Sequence, residues 1–296
     1  MKEFALSHPF ILALALNNYD PFLNPGKVGI LSESAYDQVF AYLKTNPPQG
    51  VLVLTGGEPF VDLRLKEILS LARSMRWPVS VDTWGGFLEQ PSSLNLIQQI
   101  RLRLFSLNPE KHDQIAGEKD NFQKIMVFAR WLAENYNQEK ILVFPVCREN
   151  TEEIADILSW CAKHNFKANI FIVPRHHKYA LEFTSFQQII KKLGNLPLRE
   201  LIIDIPLLGL SGFPNLCPGG RLAMFIGPEG EVKPCPYFPL PLSHLKEGVL
   251  KAWVCLQAKL TELNKGCACC RYFSLCGGGC LANKTGAGKD YYCPLQ

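Results

Sequence analysis

The first 146 of 296 residues contain no cysteine; eleven crowd into the remainder, nine of them after Leu216. That distribution excludes a disulfide frame spread through the chain and gathers soft-ligand chemistry at one end. No stretch approaches the ~20 consecutive apolar residues of a membrane span. The opening segment, MKEFALSHPFILALALNNYD, has Glu3 where an export signal is basic, and no small-residue cleavage site follows its short apolar run. It reads as a buried first strand. Basic blocks and aromatic–basic interleaving are missing as well. The 31 Lys and Arg against 27 Asp and Glu leave a scattered net charge of +4, which outlines no nucleic-acid groove. These absences predict a cytoplasmic chain without nucleic-acid or membrane partners, where clustered thiols stay reduced and favour metal over disulfides.

What is present before the cysteines is an alternation of short apolar strands and amphipathic helices. Strands are expected at Phe10–Ala15, Val51–Leu54, Val79–Val81, Leu102–Ser106, Ile141–Val146 and Ile170–Val173. Helices are expected at Ser34–Leu43, Leu63–Arg76, within Ser92–Gln99, and at Phe122–Tyr136, Thr151–His164 and Phe186–Leu193, with Thr151 as a cap. Leu201–Ile205 adds a last extended segment. Strands buried on both faces and joined by helices make a parallel α/β sheet. Six units in ~190 residues are too few for a complete eight-fold barrel of ~250, which leaves an incomplete barrel or a doubly wound sheet. Either would gather functional groups after the carboxyl ends of the strands. Beyond Pro206 proline, glycine and cysteine rise, and helical periodicity survives only at Val249–Leu263. The expected units are 1–210 and 211–296.

Seven thiols of the second unit stand in a distinctive order. Cys217 is followed by Cys235, which closes GEVKPC; then come Cys267, Cys270, Cys276, Cys280 and Cys293. A zinc ribbon needs two Cys-x-x-Cys pairs, and only Cys267/Cys270 supplies one. A disulfide frame conflicts with the reducing compartment and with the vicinal pair Cys269–Cys270. Iron–sulfur clusters accept all-thiolate shells at wider spacing. Upstream, LVLTGGEPF leaves the second strand through Gly56 and Gly57, where a ligand can approach the backbone. Glu58 is an acceptor suited to an ammonium group or a ribose hydroxyl.

With TGGEP, FSLNPEKHDQIAGEKDNFQKI, FPVCRENTEEI and the seven-cysteine order on the page, the chain resembles the radical S-adenosylmethionine enzymes with a C-terminal SPASM region, from about Phe10 to Gln296. The resemblance implies a partial (β/α)6 TIM-like barrel followed by a small cysteine-rich SPASM iron–sulfur domain. It implies S-adenosylmethionine contacts at Gly56, Gly57, Glu58, Ser106 and Asn150. It also implies two auxiliary 4Fe–4S clusters, one on Cys217, Cys235 and Cys280, the other on Cys267, Cys270, Cys276 and Cys293. A fourth ligand to the first cluster, present in some relatives, falls here on Ser211. Two departures stand out: Asn108 replaces a common Asp, and Trp84 takes the Asn place of a Thr-Asn-Gly turn.

The family's three-cysteine loop after the first strand corresponds to LALNNYDPFLNPGKVG, Leu14–Gly29, which has no thiol. Asn17, Tyr19 and Asp20 are oxygen and amide donors, whereas iron–sulfur iron selects thiolate. The expectation is therefore a pseudoenzyme unable to cleave S-adenosylmethionine, relaying electrons or holding a substrate peptide or an intact radical enzyme during peptide or protein maturation. The alternative is an active maturase or oxidoreductase working through an open iron of an auxiliary cluster. Of the remaining polar groups, His176 and His177 read as solvated, His112 and Asp113 as capping or surface residues, and Arg148 as a surface ion pair or an anion contact. Cys147, Cys161 and Cys255 read as buried apolar thiols. KTGAGKD lacks the first glycine of a phosphate loop and is set aside.

Overall fold

The computed structural model describes residues 6–23, 29–85, 93–194, 201–211 and 217–295. Strand β1 (Ile11–Ala15) leads to α1 (Glu33–Thr45), whose first turn is capped by Ser32 Oγ accepting from Ala35 N at 3.3 Å. Then follow β2 (Val51–Thr55), α2 (Leu65–Ser74), β3 (Val79–Thr83) and β4 (Gln99–Arg103). Two helices, α3 (Pro109–Ala116) and α4 (Asn121–Asn135), precede β5 (Glu139–Val146), and α5 (Ile154–Lys163) precedes β6 (Lys167–Ile172). After α6 (Phe183–Leu193) come β7 (Leu201–Ile203), β8 (Ala223–Ile226), β9 (Glu231–Lys233), β10 (Ser243–His244), α7 (Val249–Leu263) and the short α8 (Phe273–Cys276).

Among the described residues ten strands form one sheet in the order β10-β9-β8-β1-β2-β3-β4-β5-β6-β7. Pairing from β8 through β1 to β7 is parallel throughout, and β9 and β10 join antiparallel at the other edge. Alternate residues separate the two faces. Leu12, Leu14, Leu52, Leu54, Ile100, Leu102, Leu142 and Ile170 are buried in the large core formed with the helices. Their neighbours Ala13, Val53, Arg101, Val143, Asn169, Ile202 and Ala223 all line one cavity. Seven strands can face a single cavity only if the sheet curls around it, so the architecture is a partial barrel in a mixed α/β fold. Among the described residues no helix is long and apolar enough to cross a membrane.

Three local expectations are corrected. Within Ser92–Gln99, of which Ser92 lies outside the described residues, a single 3-10 turn at Leu94–Leu96 replaces the helix, and β4 starts at Gln99 instead of Leu102. The sequence QIRLR alternates polar and apolar residues, which suits a strand with one face in a polar cavity. Pro109–Ala116 is helical: Asn108 Oδ1 accepts from Lys111 N at 3.0 Å, Pro109 occupies the first turn, and Gly117 closes the helix at φ 76°. Thr151 does not cap α5; Thr151–Glu153 is a 3-10 turn, and its Glu153 turns inward to Ser106.

Candidate functional site

The cavity inside the curled sheet measures about 470 Å³. Its floor is apolar, from Ile11, Val51, Phe171 and Phe225, and its wall carries charged side chains and three thiols. At its rim the glycine–glutamate turn is locked to the loop after β1. Asn17 Nδ2 donates to Glu58 O at 3.0 Å, and Asn17 Oδ1 accepts from Glu58 N at 3.0 Å and Tyr19 N at 3.2 Å. Gly56 lies at φ 101°, and a Cβ on Gly57 would collide with Asn17 Oδ1. Gly57→Ala should therefore break this clamp and cost about 1–3 kcal/mol by overpacking. Thermal unfolding measures it, and an unchanged midpoint would mean that the turn yields without strain.

Glu58 itself is fully buried. Its carboxylate accepts from Thr83 Oγ1 at 2.8 and 2.7 Å, from Trp84 N at 3.2 Å and from Phe60 N at 3.2 Å. Trp84, in the departing position of the Thr-Asn-Gly turn, donates its indole N–H to Tyr19 O at 3.1 Å, and the two rings lie 5.6 Å apart.

Beside this turn, where a three-thiol loop would present its ligands, stands an ion pair. Arg103 donates to Asp20 Oδ2 at 2.8 Å, with both side chains largely withdrawn from solvent. Asp20 Oδ1 also accepts from Phe22 N and Leu23 N at 3.0 and 3.1 Å. The guanidinium sits 5.6 and 5.5 Å from the Phe22 and Phe105 ring centres, and Tyr237 of the C-terminal segment lines the same cavity. His177, expected in solvent, instead packs its ring 4.3 Å from that of Phe22, tilted by 34°, and donates to the Phe22 carbonyl at 3.0 Å. Residues 24–28 of this loop lie outside the described residues.

A level deeper, a belt of polar groups crosses four strands, β2, β3, β4 and β6, and ends just beyond β7. Thr55 Oγ1 donates to Asp82 at 3.3 Å, Asp82 pairs with Arg101 at 2.8 Å, Arg101 donates to Asn169 Oδ1 at 2.9 Å, and Asn169 Nδ2 donates to Asp204 Oδ2 at 2.9 Å. Burial pushes the Asp204 carboxyl up, against the Arg101 charge. Sequence reading weighed Asp20 only as an iron ligand, and missed its partner Arg103 and this belt. The one available signal was the alternation in QIRLR, lost when β4 was started at Leu102.

Ser106 and Asn150 lie behind the cavity wall and do not line it. Ser106 Oγ donates to the Glu153 carboxylate at 2.9 and 2.7 Å. Asn150 donates to Phe105 O at 2.8 Å and Pro145 O at 3.0 Å, and accepts from Cys147 N at 2.9 Å. His112 is fully buried, accepting from Phe105 N and bonded to Asn121, and burial lowers its pKa; it is neither cap nor surface residue. Arg148 pairs with Glu149 at the surface.

The seven C-terminal thiols fall into two groups. Cys217, Cys235 and Cys280 line the cavity together, half-buried. Burial pushes the first two thiols up to about 12 and about 11 and raises Cys280 well above its usual range, with the three acting on one another electrostatically. Cys276 is raised by burial and then by Cys293, Cys267 and Cys270, so those four share a second neighbourhood. The run Gly277–Gly279 between the groups takes positive φ at all three residues, a path that strongly favours glycine. Asp290 Oδ2 accepts from Cys280 N at 2.6 Å and fixes the crossing point. Among the described residues no three Cys, His, Asp or Glu side chains converge on one metal ion. Cluster ligands bind separate irons and stand further apart than ligands of a single ion. Cys147 and Cys161 are core residues, whereas Cys255 is exposed on the outer side of α7, away from the inward Ala252, Trp253 and Leu256.

No family model matches the chain. It is 26% identical over 238 residues to the sporulation killing factor maturation protein SkfB of Bacillus subtilis, covering 74% of this chain and 57% of that protein. It is 27% identical over 203 residues to the PqqA peptide cyclase of Rhizobium meliloti, covering 62% and 54%. With the mycofactocin maturase MftC of Mycolicibacterium smegmatis the identity is 23% over 257 residues, covering 77% and 65%. The chain thus spans a little over half the length of the first two of these relatives. Streptococcus suis SuiB bound to precursor peptide SuiA superposes with TM-score 0.74 at 15% identity, over 99% of this chain and 78% of SuiB. The native anSMEcpe with bound AdoMet and Cp18Cys peptide superposes with TM-score 0.68 at 18% identity, over 96% and 94%. These superpositions establish the fold, and the sequence matches give the kinship: the chain is a relative of the radical S-adenosylmethionine/SPASM maturases.

Proposed function

We propose that this chain is a radical S-adenosylmethionine/SPASM-type protein of peptide maturation that has given up cleavage of S-adenosylmethionine and works through two auxiliary 4Fe–4S clusters. The observation that carries this reading is the loop after β1. It has no thiol, and its Asp20 carboxylate is committed to Arg103 and to two backbone N–H groups. The residues there do not fit a radical cluster. Glu58, fully engaged by Thr83, Trp84 and Phe60, then serves as a structural latch, and so do Ser106 and Asn150 in their own internal bonds.

The two thiol groups fit auxiliary clusters carried on the proposed second unit, 211–296, which also lends β8 to the barrel of 1–210. Cys217, Cys235 and Cys280 would hold the first; Cys267, Cys270, Cys276 and Cys293 would hold the second. Such a cluster supplies one-electron transfer when bound. Burial opposes thiolate charge in both groups, and the chain's own counterweight is a lysine set beside them. Lys284 Nζ is anchored by Gly278 O at 2.6 Å and Gly288 O at 3.0 Å, and lies 4.0 Å from Cys267 Sγ. Its ammonium favours ionised thiols in both groups.

SuiB was captured with a precursor peptide, and a peptide side chain entering the cavity is the substrate this reading favours. An intact radical enzyme is the partner expected where the radical step itself is needed. Both would be met in the cytoplasm, without nucleic acid or membrane. Anaerobic reconstitution should give about eight irons and as many sulfides per chain, four for each cluster. Zinc in their place, or no metal, would sink the reading.

A further inference from the structure

Three thiols leave one iron of the first cluster without a protein ligand, and the structure narrows what can fill that place. Ser211, where some relatives place that ligand, and the thiols Cys255 and Cys269 are all exposed, and none lines the cavity with Cys217, Cys235 and Cys280. Asp290 is close to Cys280, but both its oxygens accept backbone N–H groups, from Cys280 at 2.6 Å and from Tyr292 at 2.9 Å. Among the carboxylates of the cavity wall, Asp20 is bound to Arg103 and Asp82 to Arg101.

Asp204 remains. It lines the cavity alongside all three thiols and also lines a small second cavity that Cys280 shares. Its Oδ2 is held by Asn169 Nδ2 at 2.9 Å, which orients the carboxylate from the end of the polar belt. Its charge acts on both Cys217 and Cys235.

Building on the reading that Cys217, Cys235 and Cys280 hold one cluster, we propose that Asp204 supplies the fourth ligand to that cluster, through a carboxylate oxygen. Iron–sulfur iron prefers thiolate, so a carboxylate is the ligand most readily displaced. The iron bearing it is the one that can exchange its protein ligand for a substrate group entering from the cavity. Asn169, and through it Arg101, are positioning residues for Asp204.

The test uses the full chain reconstituted anaerobically with ferrous iron and sulfide: wild type, Asp204→Ala, Asp204→Cys and Cys280→Ser. Wild type should carry about eight irons, and Asp204→Ala about seven, with the paramagnetic signal of an oxidised three-iron cluster absent from wild type. Asp204→Cys should restore about eight irons without that signal, and should lower the reduction potential of one cluster because thiolate donates more charge than carboxylate. An Asp204→Ala protein with wild-type iron content and spectra overturns the proposal. If that variant does not fold, Asp204→Cys decides alone: a potential and an iron-57 Mössbauer spectrum identical to wild type overturn it. Failure of the underlying reading looks different. Wild type with only about four irons, or Cys280→Ser with undiminished iron, removes the first cluster and the proposal with it.

Discussion

Reduced anaerobically with dithionite and given S-adenosylmethionine, the reconstituted chain should release no 5′-deoxyadenosine above a protein-free blank. Reductive cleavage requires an electron delivered to the sulfonium from an iron that holds the cofactor. That iron needs a thiolate cradle, and the segment after β1 offers none. The side chains that stand there are committed elsewhere: Asn17 to the backbone of Glu58, Asp20 to Arg103 and the chain at Phe22 and Leu23. Glu58, fully buried, already accepts from Thr83 Oγ1, Trp84 N and Phe60 N, so an ammonium group would compete with these donors. Release that rises with protein concentration, measured by chromatography, would overturn the pseudoenzyme reading outright. It would make the chain an active maturase acting through another cluster.

The second large effect is on stability. Arg103→Met should cost about 3–5 kcal/mol, because Asp20 is left as an uncompensated charge at 3% exposure. Asp20→Asn keeps the Oδ1 acceptor for Phe22 N and Leu23 N but leaves Arg103 unpaired between two aromatic rings, so a loss of similar size is expected. Combining the two changes should recover most of the loss, since neither charge then lacks its partner. Denaturant midpoints of the four proteins close this cycle. Single variants within about 1 kcal/mol of wild type would give the pair the modest worth of a surface salt bridge and remove its role in holding the loop.

The parts of this architecture that were legible are those where one face decides the sequence. Val51–Thr55 and Ile141–Val146 are apolar runs that only buried strands explain. The division of the seven thiols into Cys217, Cys235 and Cys280 against Cys267, Cys270, Cys276 and Cys293 came from the family resemblance, because ligands 63 residues apart carry no local signal of which cluster they share. The fourth strand slipped because its inner face is charged: Gln99, Arg101 and Arg103 look like the end of a helix until the cavity behind them is known. The pairing of Asp20 with Arg103, and of Arg101 with Asn169 and Asp204, joins residues far apart in the chain. Periodicity carries no information about which distant charges meet. The apolar reading of Cys255 failed for a smaller reason, since α7 buries Ala252, Trp253 and Leu256 and turns position 255 outward.

The strand order also has a temporal side. Residues 11–14 of β1 hydrogen-bond on one flank to β2, which follows closely, but on the other to residues 223–226. At ordinary rates of synthesis the ribosome takes about 10–40 s to travel between those two segments. Throughout that interval the free flank of β1 is an open sheet edge, a template for pairing with another nascent chain. A nascent barrel halted before residue 223 would be the aggregation-prone species, and arrival of the cysteine-bearing segment is what covers its edge.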